Sequence, residues 1–345
     1  MDYKNSAGNP HTKSGEDAVL SDFEKTGANV AESKHPAPKV YKSGSWKKDF
    51  HENWKLYLIF VPVFIYFAIF SYAPMFGVLA AFQDYNPIKG ITGSEWIGWQ
   101  NFIDLFTGET FGLVMRNTIC MAILNLTLGF IAPVILALLL SQLRFKKFKR
   151  IAQLISYMPN FVSAVVVCSL AITFFAIDGP LTQLLAVFGL HSEAGWLSEN
   201  NASFWLINTF LMIWQGAGWG SIGYVAAISN INKDLYEAAC IDGANRWKQL
   251  VYITLPSILP FIVMMFTLQV GLVFVQGFDK VLLLYKPATY EYTDVLSTYT
   301  YRLAFTGVPN YGLSTASGLF QSVVATILLL FSNWLNKRAT KLSLF

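Results

Sequence analysis

The chain has 345 residues, of which 54% are hydrophobic, 16% aromatic and only 13% charged. Soluble domains carry about 25% charged residues, so this deficit, with a mean hydropathy of +0.43, excludes a soluble globular protein and indicates a polytopic membrane protein. A net charge of +4 is too small to argue for nucleic acid, and no nucleic-acid partner is expected.

The first 50 residues are polar and contain no apolar run, so no cleavable signal peptide is expected. Residues 1–53 read as a largely disordered cytosolic tail, and residues 54–345 as the membrane domain. A bilayer core of about 30 Å needs about 20 apolar helical residues. Six stretches qualify: Leu56–Phe82, Gly112–Leu140, Ile151–Ile177, Ser203–Ile228, Ser257–Tyr285 and Leu313–Leu335. The expected fold is therefore an all-α membrane protein of six transmembrane helices, because lipid cannot satisfy backbone polar groups. Pro62, Pro74 and Pro133 suggest kinks.

Lys and Arg set the orientation. Twenty of 25 lie in the residues before the first span, in Arg144–Arg150, in Asn232–Pro256 and in the C-terminal tail. The other side holds Lys89, Arg116, Lys280, Lys286 and Arg302. Both termini are thus expected in the cytosol, which an even number of spans satisfies. The three cysteines, Cys120, Cys168 and Cys240, read as small buried hydrophobes rather than a disulfide framework. No metal-ligand spacing occurs.

Span four carries Trp214, Gln215, Trp219 and Tyr224 among four glycines. Gly218-x-Gly220-x-x-Gly223 spells a dinucleotide fingerprint, but no strand precedes it and it lies within a span. Gly216 and Gly220 instead suit close helix contact. The aromatics suit either sugar stacking or a membrane interface. Between spans four and five, Asn232–Pro256 is conspicuously polar. Asp234 as N-cap with Glu237 three residues on makes a capping box, predicting a helix from Leu235. Gly243 suits its end. A second short helix is expected from Ala244 to Leu255, with Pro256 opening span five. Leu235, Ala238 and Ala239 fall on one face, and Trp247, Leu250, Val251 and Leu255 on another. Span five adds Gln269, Gln276, Phe278, Asp279 and Lys280, polar groups that at membrane depth face a cavity and near the interface only anchor. Asn125 and Gln321 are weaker candidates. Asn201-Ala202-Ser203 spells a glycosylation sequon, which chance explains.

Glu237-Ala238-Ala239, three residues, Gly243, nine residues, then Ile253-Thr254-Leu255-Pro256 resembles the EAA signature of binding-protein-dependent ATP-binding-cassette importer permeases. Residues 93–102 and 277–302 look like the branch handling complex oligosaccharides and polysaccharides, although Asp279-Lys280 stand where that branch has Glu-Gln. The resemblance covers about residues 54–345. It implies the type I importer permease fold, with Glu237, Ala238, Ala239, Asp242, Gly243, Leu255 and Pro256 contacting an ATPase. It also implies a second, related permease, two ATPase subunits that carry ATP and Mg, and an extracytoplasmic binding protein. Trp214, Gln215, Trp219, Tyr224, Gln269, Gln276, Phe278 and Asp279 are the substrate-path candidates. The chain has no GxxxxGK[ST] loop to hydrolyse ATP itself, and no cofactor is expected on it. The competing classes are an ion-coupled secondary transporter, for which Asp279 is the sole coupling candidate, and an intramembrane enzyme, for which no HExxH or GxSxG motif occurs.

Overall fold

A computed structural model of the chain describes residues 46–274 and 277–340. Most of the expected tail, and Gln276, lie outside these. The part of the tail that is described, from Trp46, is helical and continues into the first apolar run as α1 (Trp46–Phe67), broken only at Asn53. Pro62 sits inside α1 without ending it. This helix belongs to a unit ending at Ser71, and Tyr72–Phe345 forms a second unit that holds all the sites below.

The second unit begins with a tight 3-10 segment, Ala73–Phe82, and a two-residue antiparallel pairing of β1 (Gln83–Asp84) with β2 (Glu95–Trp96). Phe82 stacks on Trp96 at 5.6 Å, which fixes this outer corner. There follow α2 (Gln100–Thr107), α3 (Glu109–Leu124), α4 (Phe130–Gln142), α5 (Lys146–Tyr157), α6 (Ala164–Phe174) and α7 (Pro180–Val187). The remaining helices are α8 (Ser203–Ser229), α9 (Lys233–Ile241), α10 (Arg246–Gln249), α11 (Leu255–Leu272), α12 (Phe278–Leu284), α13 (Tyr290–Thr293), α14 (Leu296–Phe305) and α15 (Tyr311–Thr340). Helix dominates, as lipid requires.

Among the described residues, four helices are long and apolar enough to cross a membrane: Asn53–Phe82, Glu109–Gln142, Arg246–Leu272 and Tyr311–Arg338. The expected third span is not one straight helix. Lys146–Phe161 and Ala164–Phe174 meet at 95°. Pro159 and the Ser163 N-cap, whose hydroxyl accepts from Val166 N, terminate one helix and start the other. The 11 residues of α6 rise only about 16 Å, half a bilayer core. Counted as one broken span, this pair raises the number to five. The expected fourth span, α8, is long enough at 27 residues, but Asn208, Gln215 and its glycines dilute its hydropathy. The expected fifth span ends early, at Leu272, because Gly277 adopts φ +80° and α12 sets off anew.

Prolines act here through wide turns. The π-turns Ala68–Tyr72, Asn125–Gly129 and Leu250–Thr254 lie just ahead of Pro74, Pro133 and Pro256. A proline ring removes one N–H and crowds the carbonyl four residues back, and a wider turn absorbs both.

The core of the unit is α8. Its glycines admit neighbours, though not as a Gly216–Gly220 face. A side chain on Gly216 would meet open space, whereas a Cβ on Gly218 would lie 1.8 Å from Ser156 O, and one on Gly223 would lie 2.8 Å from Phe261. A Cβ on Gly220 would lie 3.2 Å from Pro133. Gly218→Ala is expected to force the Ser156 backbone aside at a cost of about 1–3 kcal/mol. Thermal unfolding of the purified transporter checks this: Gly218→Ala lowers the Tm, and Gly216→Ala leaves it unchanged.

Candidate functional site

The polar stretch folds as α9, a tight turn and α10. Its N-cap is Asn232 rather than Asp234: the Asn232 side chain accepts from Asp234 N at 3.0 Å. An Asn cap with φ −59° and ψ 127° satisfies one of the free N–H groups of the first turn. Glu237 therefore closes no capping box. It stands exposed on α9, free for a partner group. Gly243 ends the helix as expected, at φ +74°. Ala244 N donates to Ala239 O at 2.8 Å and Gly243 N to Cys240 O at 3.1 Å, a Schellman closure.

The second helix differs from expectation. Asn245 caps it by accepting from Lys248 N. From Arg246 the chain then runs through the wide turn 250–254 into α11 without interruption, 27 residues to Leu272. Leu255 and Pro256 thus lie inside a long helix, not at the exposed tip. Tyr236 and Thr254 share a hydrogen bond of 2.9 Å that ties α9 to this helix. Leu235, Ile241 and Trp247 are exposed at 49%, 87% and 71%. Cys240, expected to be buried, is exposed as well, with its Sγ 3.2 Å from Gln249 Nε2. Charged and large apolar side chains together on an outward-facing handle have the composition of an interface core and rim.

At the other end of that helix, α4, α8 and α11 enclose a cavity of about 400 Å³, within the usual range of ligand sites. Tyr224, Gln269 and Asn125 contribute its polar groups, and Phe130, Met212 and Met265 its apolar wall; no charged residue lines it. Asn125 Oδ1 is buried and accepts no hydrogen bond among the described residues. Gly129, Gly216 and Gly220 also border the cavity, so the glycines of span four make room as well as contact.

The substrate-path candidates therefore divide. Tyr224 and Gln269 line the cavity. Gln215 is buried, but its Nε2 donates to Val162 O at 2.6 Å, supporting the break between α5 and α6. Trp214 and Trp219 are 44% and 53% exposed, Trp219 lying edge-on to Phe161. Phe278 packs against Tyr301, and Asp279 is exposed.

The sequence reading missed the anchor of the segment 291–296 on α3. Asn117, fully buried, donates to Glu291 O at 3.0 Å and Asp294 O at 2.9 Å. Thr118 accepts from Leu296 N at 2.8 Å, and Arg116 stacks on Tyr292 at 4.5 Å. Arg116-Asn117-Thr118, three polar residues early in an apolar run, was the available signal. Asp294 pairs with Arg302. Burial holds its carboxyl above the ordinary range, against the pull of Thr298 and Arg302.

A family model described as the binding-protein-dependent transport system inner membrane component matches residues 129–341. The chain belongs to this family. It is similar to the polygalacturonan/rhamnogalacturonan transport system permease YteP of Bacillus subtilis (strain 168), 41% identical over 82% of this chain and 88% of the relative. It also resembles protein LplB of the same organism, 37% identical over 88% and 95%. Among solved structures it matches a bacterial transporter involved in importing the acidic polysaccharide alginate, with TM-score 0.77 and 39% identity over 85% of this chain and 98% of that one. A second alginate transporter structure, in complex with a pentasaccharide-bound periplasmic protein, matches with TM-score 0.78. The chain is thus a multi-pass inner-membrane permease of an ATP-binding-cassette importer, and a partner ATPase hydrolyses the ATP. The ion-coupled reading and its Asp279 relay fall away.

In the loop before α8, Glu199 accepts hydrogen bonds from Ser192 Oγ, Glu193 N and Asn201 Nδ2. The Ser192 hydroxyl first, and these other donors, hold its carboxyl below the usual range. A depressed carboxylate stabilises the folded loop above its unfolded pKa, and this support is lost as pH falls through the folded value. The protection factor of the Glu193 amide against hydrogen exchange is expected to fall as pH drops below the ordinary carboxylate range, and in Glu199→Gln it no longer changes over that range.

Proposed function

We propose that this permease forms half of the translocation path for an oligosaccharide or polysaccharide. In this reading a second, related permease supplies the other half, two ATPase subunits carry ATP and Mg, and an extracytoplasmic protein delivers the sugar to the outer loops. The names of the relatives, a polygalacturonan/rhamnogalacturonan permease and an alginate importer, support a polymer rich in uronic acids. The uncharged cavity holding Tyr224, Gln269 and the unpaired Asn125 oxygen supports contact with hydroxyl groups. Residues 54–345 constitute the permease domain, with six spans and both termini in the cytosol.

The observation that carries the coupling role is α9 itself: a capped, Schellman-closed helix that exposes Leu235, Glu237 and Ile241 yet is tied to the long helix by Tyr236. Glu237, Ala238, Ala239, Asp242 and Gly243 are assigned to the ATPase contact, with Ile241 and Trp247 added. Leu255 and Pro256 transmit rather than touch. Glu237→Lys reverses the charge at the contact, and Gly243→Pro imposes a negative φ where the turn has +74°. Each is expected to reduce stimulation of ATPase activity by loaded binding protein roughly 5- to 150-fold, the span of ordinary coupling energies. ATPase assays on proteoliposomes measure this; normal stimulation by either variant overturns the assignment.

Orientation has its own test in Cys240. With Cys120→Ser and Cys168→Ser, a membrane-impermeant maleimide is expected to label Cys240 in inside-out vesicles and not in right-side-out ones. The reverse pattern overturns the cytosolic placement.

A further inference from the structure

Behind α9 lies a second cavity of about 400 Å³, separate from the translocation cavity and bounded by the ends of α4 and α8 and the starts of α5, α9 and α10. Four cations border it: Arg144, Lys149, Lys233 and Arg246. They come from two basic stretches far apart in the chain, Arg144 and Lys149 from one and Lys233 and Arg246 from the other, so the periodicity of no single helix explains their meeting. No carboxylate lines the cavity, and among the described residues none of the four is ion-paired. Asp234 and Asp242 lie nearby in sequence but outside the lining, with Asp234 Oδ2 held by Asn232 Nδ2 at 3.1 Å. Arg246 Nη1 reaches only the Gln142 carbonyl, at 3.5 Å. Tyr236, Thr254 and Gln249 also line it, the two hydroxyls bonded to each other and the Gln249 amide donating to Cys240 Sγ and Ala244 O. One wall is apolar, made by Val225, Ile228 and Ile231.

Like charges gathered around one cavity repel, and a multiply charged anion relieves this. A lining with four cations on one side and branched aliphatics on the other suits a phosphate carried on an amphipathic molecule. Basic pockets at the cytosolic ends of membrane helices are suited to such headgroups, and α5, with Lys146, Lys147, Lys149 and Arg150 on an amphipathic helix, would lie along that surface. We propose that this cavity binds a phosphate group, supplied by an anionic phospholipid of the inner leaflet, and so bridges α5 to the coupling segment. The proposal rests on the cytosolic placement above. Cys240 labelling tests that placement separately, so failure of one is distinguishable from failure of the other.

The test uses the complete transporter, with both permeases and its ATPases, in nanodiscs of phosphatidylcholine with or without phosphatidylglycerol. Arg144 and Lys149 lie outside the proposed ATPase contact, so Arg144→Gln/Lys149→Gln is the informative variant. Bound phosphatidylglycerol is counted by native mass spectrometry, and binding of inorganic phosphate is measured in the phosphatidylcholine discs. The expected result is phosphatidylglycerol binding that the double variant weakens roughly 30-fold, two cations at the usual worth of a surface Lys or Arg. Phosphate binding weakened by the variant, without phosphatidylglycerol binding, keeps the site and makes its source soluble. Equal binding of both probes by wild type and variant, or binding of neither by wild type, overturns the proposal. Melting of both forms in phosphatidylcholine discs excludes misfolding of the variant as the cause.

Discussion

Every backbone carbonyl that a helix break frees inside a bilayer needs a donor from the protein, since lipid offers none. In this chain the donors are side-chain amides from other helices. Gln215 on α8 donates to Val162 O at the break between α5 and α6. Gln321 on α15 donates to Phe274 O just past α11. Asn101 on α2 donates to Ala81 O and Gln83 O, both at 3.0 Å, where the first apolar run stops. Asn117 on α3 does the same for the carbonyls of Glu291 and Asp294. Each of these four amides is buried. Removing one leaves a buried carbonyl unpaired, at a cost of about 1–3 kcal/mol. The breaks let the helices bend around a cavity, and the amides make the breaks affordable.

That constraint explains what the sequence disclosed and what it hid. Composition and Lys/Arg asymmetry disclosed the class, and Gly243 disclosed its own positive φ, because no other residue type suits that turn so well. Membrane-long apolar runs at 53–82, 109–142 and 311–338 were legible because length and hydropathy are local properties. The 95° bend after Phe161 was overlooked because mean hydropathy runs through it: Pro159, Asn160 and Ser163 mark the place, but the amide that supports the break, Gln215, comes from more than fifty residues away. The N-cap was misread for a related reason. Asn232 and Asp234 are both good caps with the same local pattern, and only the φ/ψ of the entering chain selects between them.

The candidate path residues divide by residue type in the structure. Trp214 and Trp219 drew attention as sugar-stacking types, but aromatic character does not say which way a helix face turns. Tyr224, Gln269 and Asn125 line the cavity, because burying a polar group beside lipid is costly enough to orient it inward. Gln215 also turns inward, yet the carbonyl of Val162 takes up its donor. A buried amide in a bent bundle thus has two occupations, lining a path or repairing a break, and only the position of the nearest freed carbonyl distinguishes them.

The unbroken run from Arg246 to Leu272 changes the mechanical argument for coupling. Two hinged surface helices would dissipate a displacement of the loop in their connecting turn. A single helix of 27 residues spans about 40 Å, with Arg246 beside the coupling segment and Met265, Leu268 and Gln269 on the cavity wall. Its one irregularity, the wide turn Leu250–Thr254, is clamped by the Tyr236–Thr254 hydrogen bond to α9. On the proposed coupling role, closure of the ATPase against α9 moves a rod rather than a string, and the same rod carries the wall of the cavity.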